Sequence, residues 1–334
     1  MQTRPVLSSF ARTPWVAQEP LDHERVVDVM PRQVQVAFRA NASGHAEPVP
    51  LTPAAHELLY GPNREAAMRF FSGVIDAASA AGGTLRGMSL SDSDAGFATN
   101  AMASMIEAGY IPDSVRSGQR KQFLRDFQGV ADATRGARAQ NTGWMDLGPK
   151  VSQHALSLIN HGSRGTSTDA QTELGLVVTH EIQHAVTPPG PDIRDTHVWL
   201  EEGIAETLTW WPGAARDTMR RIGATRLDHD PDPFTVTPEM LPSNEYRMHH
   251  RRVVQLLGMA GIVASADDGS PTPDGLQRAR TLLQSSHVSG VPRDLARAIA
   301  RHQQIDTRHV PEIARRIEVL GATGDDARSV IEHL

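Results

Sequence analysis

The stretch at residues 174–186 reads LGLVVTHEIQHAV, and it decides how the fold of this chain is interpreted. It contains two histidines, His180 and His184, four positions apart within an apolar run. On a helix, residues four apart share one face, so both imidazoles can reach a single point. Two imidazoles at that spacing can hold Zn²⁺ at ~2.0–2.1 Å. Glu181 then lies beside the metal, where its carboxylate can take a proton from a water that the metal activates.

A second segment, WLEEGIAE at residues 199–206, follows after a proline-containing connection. On a helical wheel, one stripe of this segment and its continuation is apolar and predicts core packing: Leu200, Ile204, Leu208 and Trp211. Another side carries Glu202 and Glu206, one turn apart and next to Trp199. Two carboxylates are costly to bury unless they have a partner, and a zinc ion with its histidines would be that partner.

Together the two segments resemble the gluzincin metallopeptidases, the group that contains thermolysin and the aminopeptidase N family. That group combines H-E-x-x-H with a downstream helix bearing a glutamate ligand, and WLEEGIAE is similar to its W-L-x-E-G-x-A-E segment. The resemblance implies a zinc-dependent peptidase in which His180, His184 and Glu202 bind the metal and Glu181 is the general base. It also implies that Glu206 hydrogen-bonds a zinc-bound histidine, which would fix the orientation of that ring.

Two other residues compete for the place of the third ligand. Glu201 precedes Glu202 directly, but its direction on the helix is nearer the apolar stripe. His197 lies on the first turn of the expected helix, where a capping or surface role suits it better. Glu202 is therefore the favoured ligand, and Gly203 follows it as in the related proteins.

Peptide hydrolysis passes through a tetrahedral oxyanion, for which a hydrogen-bond donor besides zinc is expected. The aminopeptidase N family uses a tyrosine downstream of the glutamate ligand, at the start of a helix. Tyr246 occupies a similar position, so the resemblance implies that it is this donor. Thermolysin uses a histidine for the same purpose, and His249 or His250 is the alternative here.

A weaker likeness concerns residues 143–147, GWMDL. Relatives of aminopeptidase N carry G-x-M-E-N ahead of the zinc motif, and its glutamate binds the free amino group of the substrate. Asp146 would take that place in this chain. The segment lacks the asparagine, and the β-sandwich that precedes the catalytic domain in that family is missing from the sequence. Endopeptidase and aminopeptidase activity therefore both stay open.

The composition is that of an ordinary globular chain: 334 residues, 39% hydrophobic and 22% charged, with a net charge of −6. This charge argues against a nucleic-acid partner. The chain has no cysteine, which excludes disulfides and cysteine-ligated zinc. No run approaches the ~18 apolar residues of a membrane span, and residues 1–20 lack the apolar core of a signal peptide. We therefore expect no membrane association and a cytoplasmic location, with secretion left open if a leader precedes residue 1. The resemblance to gluzincins implies a peptide or protein substrate.

The spacing of apolar residues predicts an α+β fold that is predominantly helical. We expect a zincin-like catalytic domain with a small sheet, an active-site helix and a C-terminal helical part. Residues 1–140 are predicted to form an N-terminal region of short strands followed by helices. Residues 141–334 are predicted to form the catalytic region with its C-terminal helices, unless both regions belong to one continuous domain.

Individual elements are predicted from alternation and helical spacing. Strands are expected at residues 25–30 and 33–38, with a loop over 41–53. A further strand is expected at 154–160, and in gluzincins an edge strand in this position lies alongside the extended substrate. Residues 224–243 are expected to form a long lid or specificity loop. Helices are predicted near 63–81, 94–109, 118–135, 169–186, 195–211, 214–222, 244–265, 274–286, 293–303 and 308–333. The last is either continuous or broken at Gly321 and Gly324.

Two functions follow from these patterns. The first is a zinc metallopeptidase in which Glu181 activates water. The alternative is a catalytically silent scaffold or regulatory protein that keeps the zincin fold and its metal. The intact Glu181 favours the enzyme, because a structural zinc site does not need a general base.

Overall fold

The computed structural model describes residues 33–93, 96–97, 100, 137–140, 143–187, 195–211, 213–224, 244–263, 274–284, 287–323 and 326–334. Contacts between Cα atoms divide the chain into two compact units. One unit contains Met1–Val186 and Arg216–Asp230, and the other contains Thr187–Ala215 and Pro231–Leu334. Helices make up most of the described regular structure and a small sheet makes up the rest, which confirms the prediction of a predominantly helical α+β chain.

Most of the described helices have amphipathic sequences and bounds close to those predicted. The helices at Pro53–Tyr60 and Pro149–Gly165 were not predicted, and the one predicted at 308–333 ends at Thr323. In chain order the described helices are α1 (Pro53–Tyr60), α2 (Arg64–Ala80), α3 (Pro149–Gly165), α4 (Thr168–Val186), α5 (Asp195–Thr209), α6 (Ala214–Arg221), α7 (Asn244–Met259), α8 (Gly275–Leu283), α9 (Val291–His302) and α10 (Val310–Thr323). Short 3₁₀ turns follow at Thr307–His309 and Ala327–Ile331. None of these helices combines the length and the apolar character needed to cross a bilayer. The predicted helices at 94–109 and 118–135 lie outside the described residues, apart from three positions of the first.

The first unit contains a five-stranded sheet with the strand order β2-β1-β3-β5-β4. Its strands are β1 (Val34–Ala40), β2 (Ala46–Pro50), β3 (Gly87–Leu90), β4 (Ala137–Gln140) and β5 (Trp144–Leu147). Strands β3 and β5 are parallel, and the other neighbouring strands are antiparallel. The sheet therefore contains strands from both regions that were predicted from the sequence, residues 1–140 and residues 141–334.

The hairpin of β1 and β2 confirms one strand prediction and corrects a neighbouring one. The strand expected at 33–38 is present as β1, and the one expected at 25–30 lies outside the described residues. The loop expected over 41–53 is wrong in its second half, which forms β2. Two prolines obscured that strand, but β2 is at the edge of the sheet, where an absent N–H group is tolerated. Asn41 closes the turn, since its Oδ1 accepts hydrogen bonds from two backbone N–H groups at 3.0 Å.

One face of the sheet and the helices beside it form the core of the first unit. Alternate strand residues point to this face and are almost completely buried: Val34, Val36, Met88, Leu90, Met145 and Leu147. Helix α2 contributes Phe70 and Phe71, and α4 contributes the stripe Leu174, Val178 and Ile182. This stripe determines which face of α4 is turned away from the core.

The segment predicted as a substrate-binding edge strand is helical, which corrects the prediction for residues 154–160. It lies within α3, whose buried apolar residues recur every three to four positions: Val151, Ala155, Leu158 and Ile159. Over seven residues, strand and helix patterns overlap, so periodicity alone did not separate them. Pro149 at the first turn is the stronger indication, because proline is favoured where a helix begins. Because this segment is helical, it does not offer a strand edge along which a substrate could align.

Helix α2 approaches the end of α6 so closely that only glycine fits at position 73. A Cβ atom there would lie 2.2 Å from the carbonyl oxygen of Arg221 and 2.4 Å from its carbon. We expect Gly73→Ala to lower the free energy of unfolding by about 1–3 kcal/mol, because backbone must move to admit the methyl group. This is the net loss that remains after the ~1 kcal/mol that alanine contributes as a better helix former.

Urea denaturation of the two variants Gly73→Ala and Ser79→Ala measures this effect. Ser79 lies exposed near the end of the same helix, so its replacement should change stability by less than ~0.5 kcal/mol. Equal stabilities of Gly73→Ala and the unmodified protein would show that the close approach of α2 and α6 is absent.

The second unit is helical and has its own apolar core, to which α5, α7, α8, α9 and α10 contribute. The stripe predicted for α5 is confirmed, because Leu200, Ile204, Leu208 and Trp211 are all at most 7% exposed. Helices α5 and α7 meet at Gly203. A Cβ atom at this position would lie 2.8 Å from Val253 Cγ2 and 2.9 Å from the carbonyl oxygen of His249. The glycine that follows Glu202 is thus required for close helix packing.

Candidate metal centre

Helix α4 brings the two histidines of the opening motif together. The Nε2 atoms of His180 and His184 are 3.0 Å apart, and the ring planes are inclined at 71°. His184 is only 7% exposed, and His180 is half-buried. Two nitrogens bound to a tetrahedral zinc ion at ~2.0–2.1 Å lie about 3.3 Å apart, so the observed separation suits a shared ion.

Packing on the other side of α4 fixes the direction of these rings. The stripe that begins at Leu174 is buried in the core of the first unit. At Gly175 the helix comes so close to α6 that a Cβ atom would lie 2.0 Å from Met219 Cγ. Rotation of α4 about its axis would break both contacts, so the histidines are held on the face that they occupy.

Glu181 is the third titratable residue in the C-terminal half of α4. It is 7% exposed, so its carboxylate is largely sheltered from bulk water. The polar residues around it form bonds within the helix: Thr179 Oγ1 donates to the carbonyl of Gly175 at 2.6 Å, and Gln183 Nε2 donates to that of Thr179 at 3.2 Å. In residues 175–186, the only side chains that titrate are those of the two histidines and Glu181.

Glu202 on α5 supplies the third member of the candidate site. One ligand atom from each of His180, His184 and Glu202 lies within 4.8 Å of the other two. Among the parts of the chain that the structure describes, no other three histidine, aspartate or glutamate residues meet this spacing, and Glu201 is not a member. Two imidazoles and one carboxylate form a donor set that binds Zn²⁺. The residues present therefore fit the metal that the sequence implied.

Glu206, expected beside a zinc-bound histidine, is 4% exposed on α5. Its Oε2 accepts a hydrogen bond of 2.9 Å from Trp210 Nε1. No motif in the sequence indicates this contact. The pairing follows from spacing, because residues four apart on a helix are neighbours. Its bond to a histidine ligand stays a prediction.

The candidates for oxyanion stabilisation all belong to α7. Tyr246 is in its first turn, and its side chain lies outside the described residues. His249 is 7% exposed and lies against Trp199, with ring centroids 6.3 Å apart. His250 is half-buried, and its Nδ1 lies 3.1 Å from Thr207 Oγ1. The His250–Thr207 pair joins two helices and was not recognised in the sequence.

Burial and charge act on His250 in opposite directions. Burial lowers the pKa of its imidazole, and the nearby carboxylate of Glu206 raises it by a smaller amount. The net effect is a pKa below the ordinary value of 6.5. Burial therefore favours the neutral form of the imidazole.

Asp146 lies in the sheet of the first unit and is fully buried. Trp144 Nε1 donates to both Asp146 Oδ1 at 3.1 Å and Ser89 Oγ at 3.0 Å. Ser89 is the cross-strand partner of Asp146, and Gln35 is the next residue in the same row. The surroundings of Asp146 indicate a structural role within the sheet, and its contact with a substrate amine stays a prediction.

Comparison with known proteins gives no relative from which a function could be transferred. No protein-family model, curated protein or solved structure matches this chain. The predicted lid at 224–243, apart from the buried Ala224, lies outside the described residues, as does the side chain of His197. What the protein does must therefore be inferred from the side chains that the structure brings together.

Proposed function

We propose that this protein is a zinc metallopeptidase that hydrolyses peptide bonds, with His180, His184 and Glu202 as the metal ligands. The observation that carries the proposal is the convergence of two imidazoles and one carboxylate within 4.8 Å. Three protein ligands of this kind are typical of catalytic zinc sites, which keep a fourth position open. Structural zinc sites are usually closed by four ligands that include cysteine, and this chain has no cysteine.

In the proposed mechanism, a zinc ion held by His180, His184 and Glu202 would supply Lewis acidity, which would make a water a stronger acid. Glu181 accepts the proton of the attacking water and later delivers it to the leaving amine. Its place directly after His180 keeps the carboxylate on the ligand-bearing helix. Its burial strengthens electrostatic interactions with the reacting groups, since water screens them less.

The proposal also assigns the donor that stabilises the oxyanion and the class of substrate. Tyr246 is the proposed donor, because α7 packs directly against the glutamate-bearing helix at Gly203. The substrate is a peptide or protein, in keeping with the resemblance to gluzincins. A cytoplasmic location stays a prediction from the sequence.

The alternative function is a catalytically silent zincin-fold scaffold. Glu181 argues for the enzyme, because a structural site does not require a general base.

Digestion of a peptide library by the full-length protein, analysed by mass spectrometry, tests the proposed function. Zinc-loaded protein should cleave a subset of peptides, a zinc chelator should abolish cleavage, and added zinc should restore it. Zinc-loaded Glu181→Gln serves as the control for contaminating peptidases. If the wild type binds one zinc ion per chain and cleaves nothing, the scaffold is the correct alternative.

A further inference from the structure

The contact between Thr207 and His250 determines where the imidazole carries its hydrogen. Thr207 Oγ1 lies 2.7 Å from the carbonyl oxygen of Gly203 and 3.1 Å from His250 Nδ1. Two oxygen atoms at 2.7 Å need a hydrogen between them, and the hydroxyl has only one. That hydrogen therefore points to Gly203, and the hydroxyl is an acceptor toward the imidazole. His250 Nδ1 must be the donor.

A neutral imidazole carries one hydrogen, so this arrangement leaves a lone pair on Nε2 of His250. Burial lowers the pKa of the ring and so favours its neutral form. His250 is half-buried, and within the described residues no group bonds to its Nε2. The ring thus offers a hydrogen-bond acceptor that is oriented through its other nitrogen.

His250 lies against the helix that carries the proposed third ligand. Thr207 directly follows Glu206 and lies five residues after Glu202 on the same helix. The charge of Glu206 acts on the imidazole, which places the ring close to this part of α5. His250 is therefore beside the segment that carries the proposed third ligand.

We propose that His250 accepts a hydrogen bond through Nε2 from an N–H group of the peptide substrate, and that Thr207 is the positioning residue that sets this tautomer. The inference rests on the proposed peptidase function and deepens it. A peptide offers N–H donors along its backbone, and a bare imidazole nitrogen can bind one of them. An oxyanion requires a donor, which Nε2 lacks in this tautomer, so His250 is a specificity residue and Tyr246 keeps the oxyanion role.

His287 provides an internal control of the opposite kind. The backbone N–H of Ser289 donates to His287 Nδ1 at 3.3 Å, and a backbone N–H can only be a donor. A neutral His287 must therefore carry its hydrogen on Nε2. The two rings are expected to show opposite tautomers in one molecule.

Nitrogen-15 NMR of the full-length protein with labelled histidines tests the tautomer without reference to activity. At pH 7 we expect His250 to show the Nδ1–H pattern and His287 the Nε2–H pattern, both assigned by single replacements. Thr207→Val should shift His250 toward the Nε2–H pattern, and Thr207→Ser should retain the original one. An Nε2–H pattern for His250 in the wild type, or no response to Thr207→Val, would overturn the assignment.

Kinetics with modified peptides test the contact with the substrate. A peptide cleaved in the library is resynthesised with one backbone N–H at a time replaced by an ester oxygen. At one position the replacement should lower kcat/KM of the wild type by about three- to tenfold more than that of His250→Phe. Thr207→Val should behave like His250→Phe, and Thr207→Ser like the wild type. Equal losses in wild type and His250→Phe at every position would refute the contact.

The two experiments separate this inference from the proposed function. If no peptide is cleaved by the zinc-loaded protein, the peptidase proposal fails and the substrate contact fails with it, whatever the NMR spectrum shows. If peptides are cleaved and His250 has its hydrogen on Nε2, the peptidase proposal stands and this inference alone is wrong.

Discussion

Replacement of Glu181 by glutamine should lower kcat for peptide hydrolysis by about 10²–10⁴-fold while zinc remains bound. The amide has nearly the shape of the carboxylate but cannot accept a proton at neutral pH. The attacking water would then lose its base and the leaving amine its acid. Zinc affinity should change little, because the ligand atoms of His180 and His184 are untouched. Steady-state kinetics together with the zinc content of the same samples measure both quantities.

Glu173→Gln is the matched control for this replacement. Glu173 lies on the same helix as Glu181, and its carboxylate contacts Lys150 Nζ at 2.6 Å and His154 Nε2 at 3.1 Å. Those partners lie on α3, away from the histidine pair in sequence, so activity should not change. Hydrolysis by zinc-loaded Glu181→Gln at the wild-type rate would refute its role as the base.

Replacement of Glu202 by glutamine should weaken zinc binding by more than ~100-fold. Loss of a residue that only supports a ligand typically costs 10–100-fold in affinity, and loss of a ligand should cost more. The neutral amide removes the negative charge that balances the ion and offers a weaker donor oxygen. Competition with a chromophoric chelator at fixed pH measures the affinity, since proton release couples metal binding to pH.

Glu201→Gln distinguishes the two adjacent glutamates. Glu201 is outside the group of converging ligand atoms, and its charge acts on His287 instead. Its replacement should leave zinc affinity nearly unchanged. A large loss of affinity in Glu201→Gln, with little change in Glu202→Gln, would reverse the assignment of the third ligand.

The helices that carry the proposed ligands were predictable because their signals are local. In α4 and α5 the apolar stripe and the face that carries the proposed ligands both repeat with helical spacing, so a helix explains both patterns. The candidate metal group was predicted from two short motifs, and the structure brings one potential ligand atom from each of its three residues within 4.8 Å of the others. Motifs of this kind encode chemistry that depends on a few fixed positions.

The errors arose where short-range patterns are ambiguous. Residues 154–160 satisfy strand and helix patterns over seven positions, and the surrounding turns of α3 decide between them. Strand β2 contains prolines that normally exclude a central strand, and only its edge position makes them acceptable. Both cases depend on tertiary context that a short window does not contain.

Contacts between distant residues were the least accessible from the sequence. Thr207 and His250 are 43 residues apart, and no motif links them. The glycine after Glu202 was noted as part of a motif, but its reason is steric and becomes visible only when α7 is placed against it. These are consequences of helix packing, which follows from the whole core of the second unit.

The most direct test of the central claim is an anomalous difference map, recorded at the zinc absorption edge, from crystals of the full-length protein grown with zinc. We predict one strong peak within ~2.0–2.2 Å of His180 Nε2, His184 Nε2 and a carboxylate oxygen of Glu202. A peak bound by other residues, or no peak between the two histidines, would contradict the assignment of this site as a zinc centre.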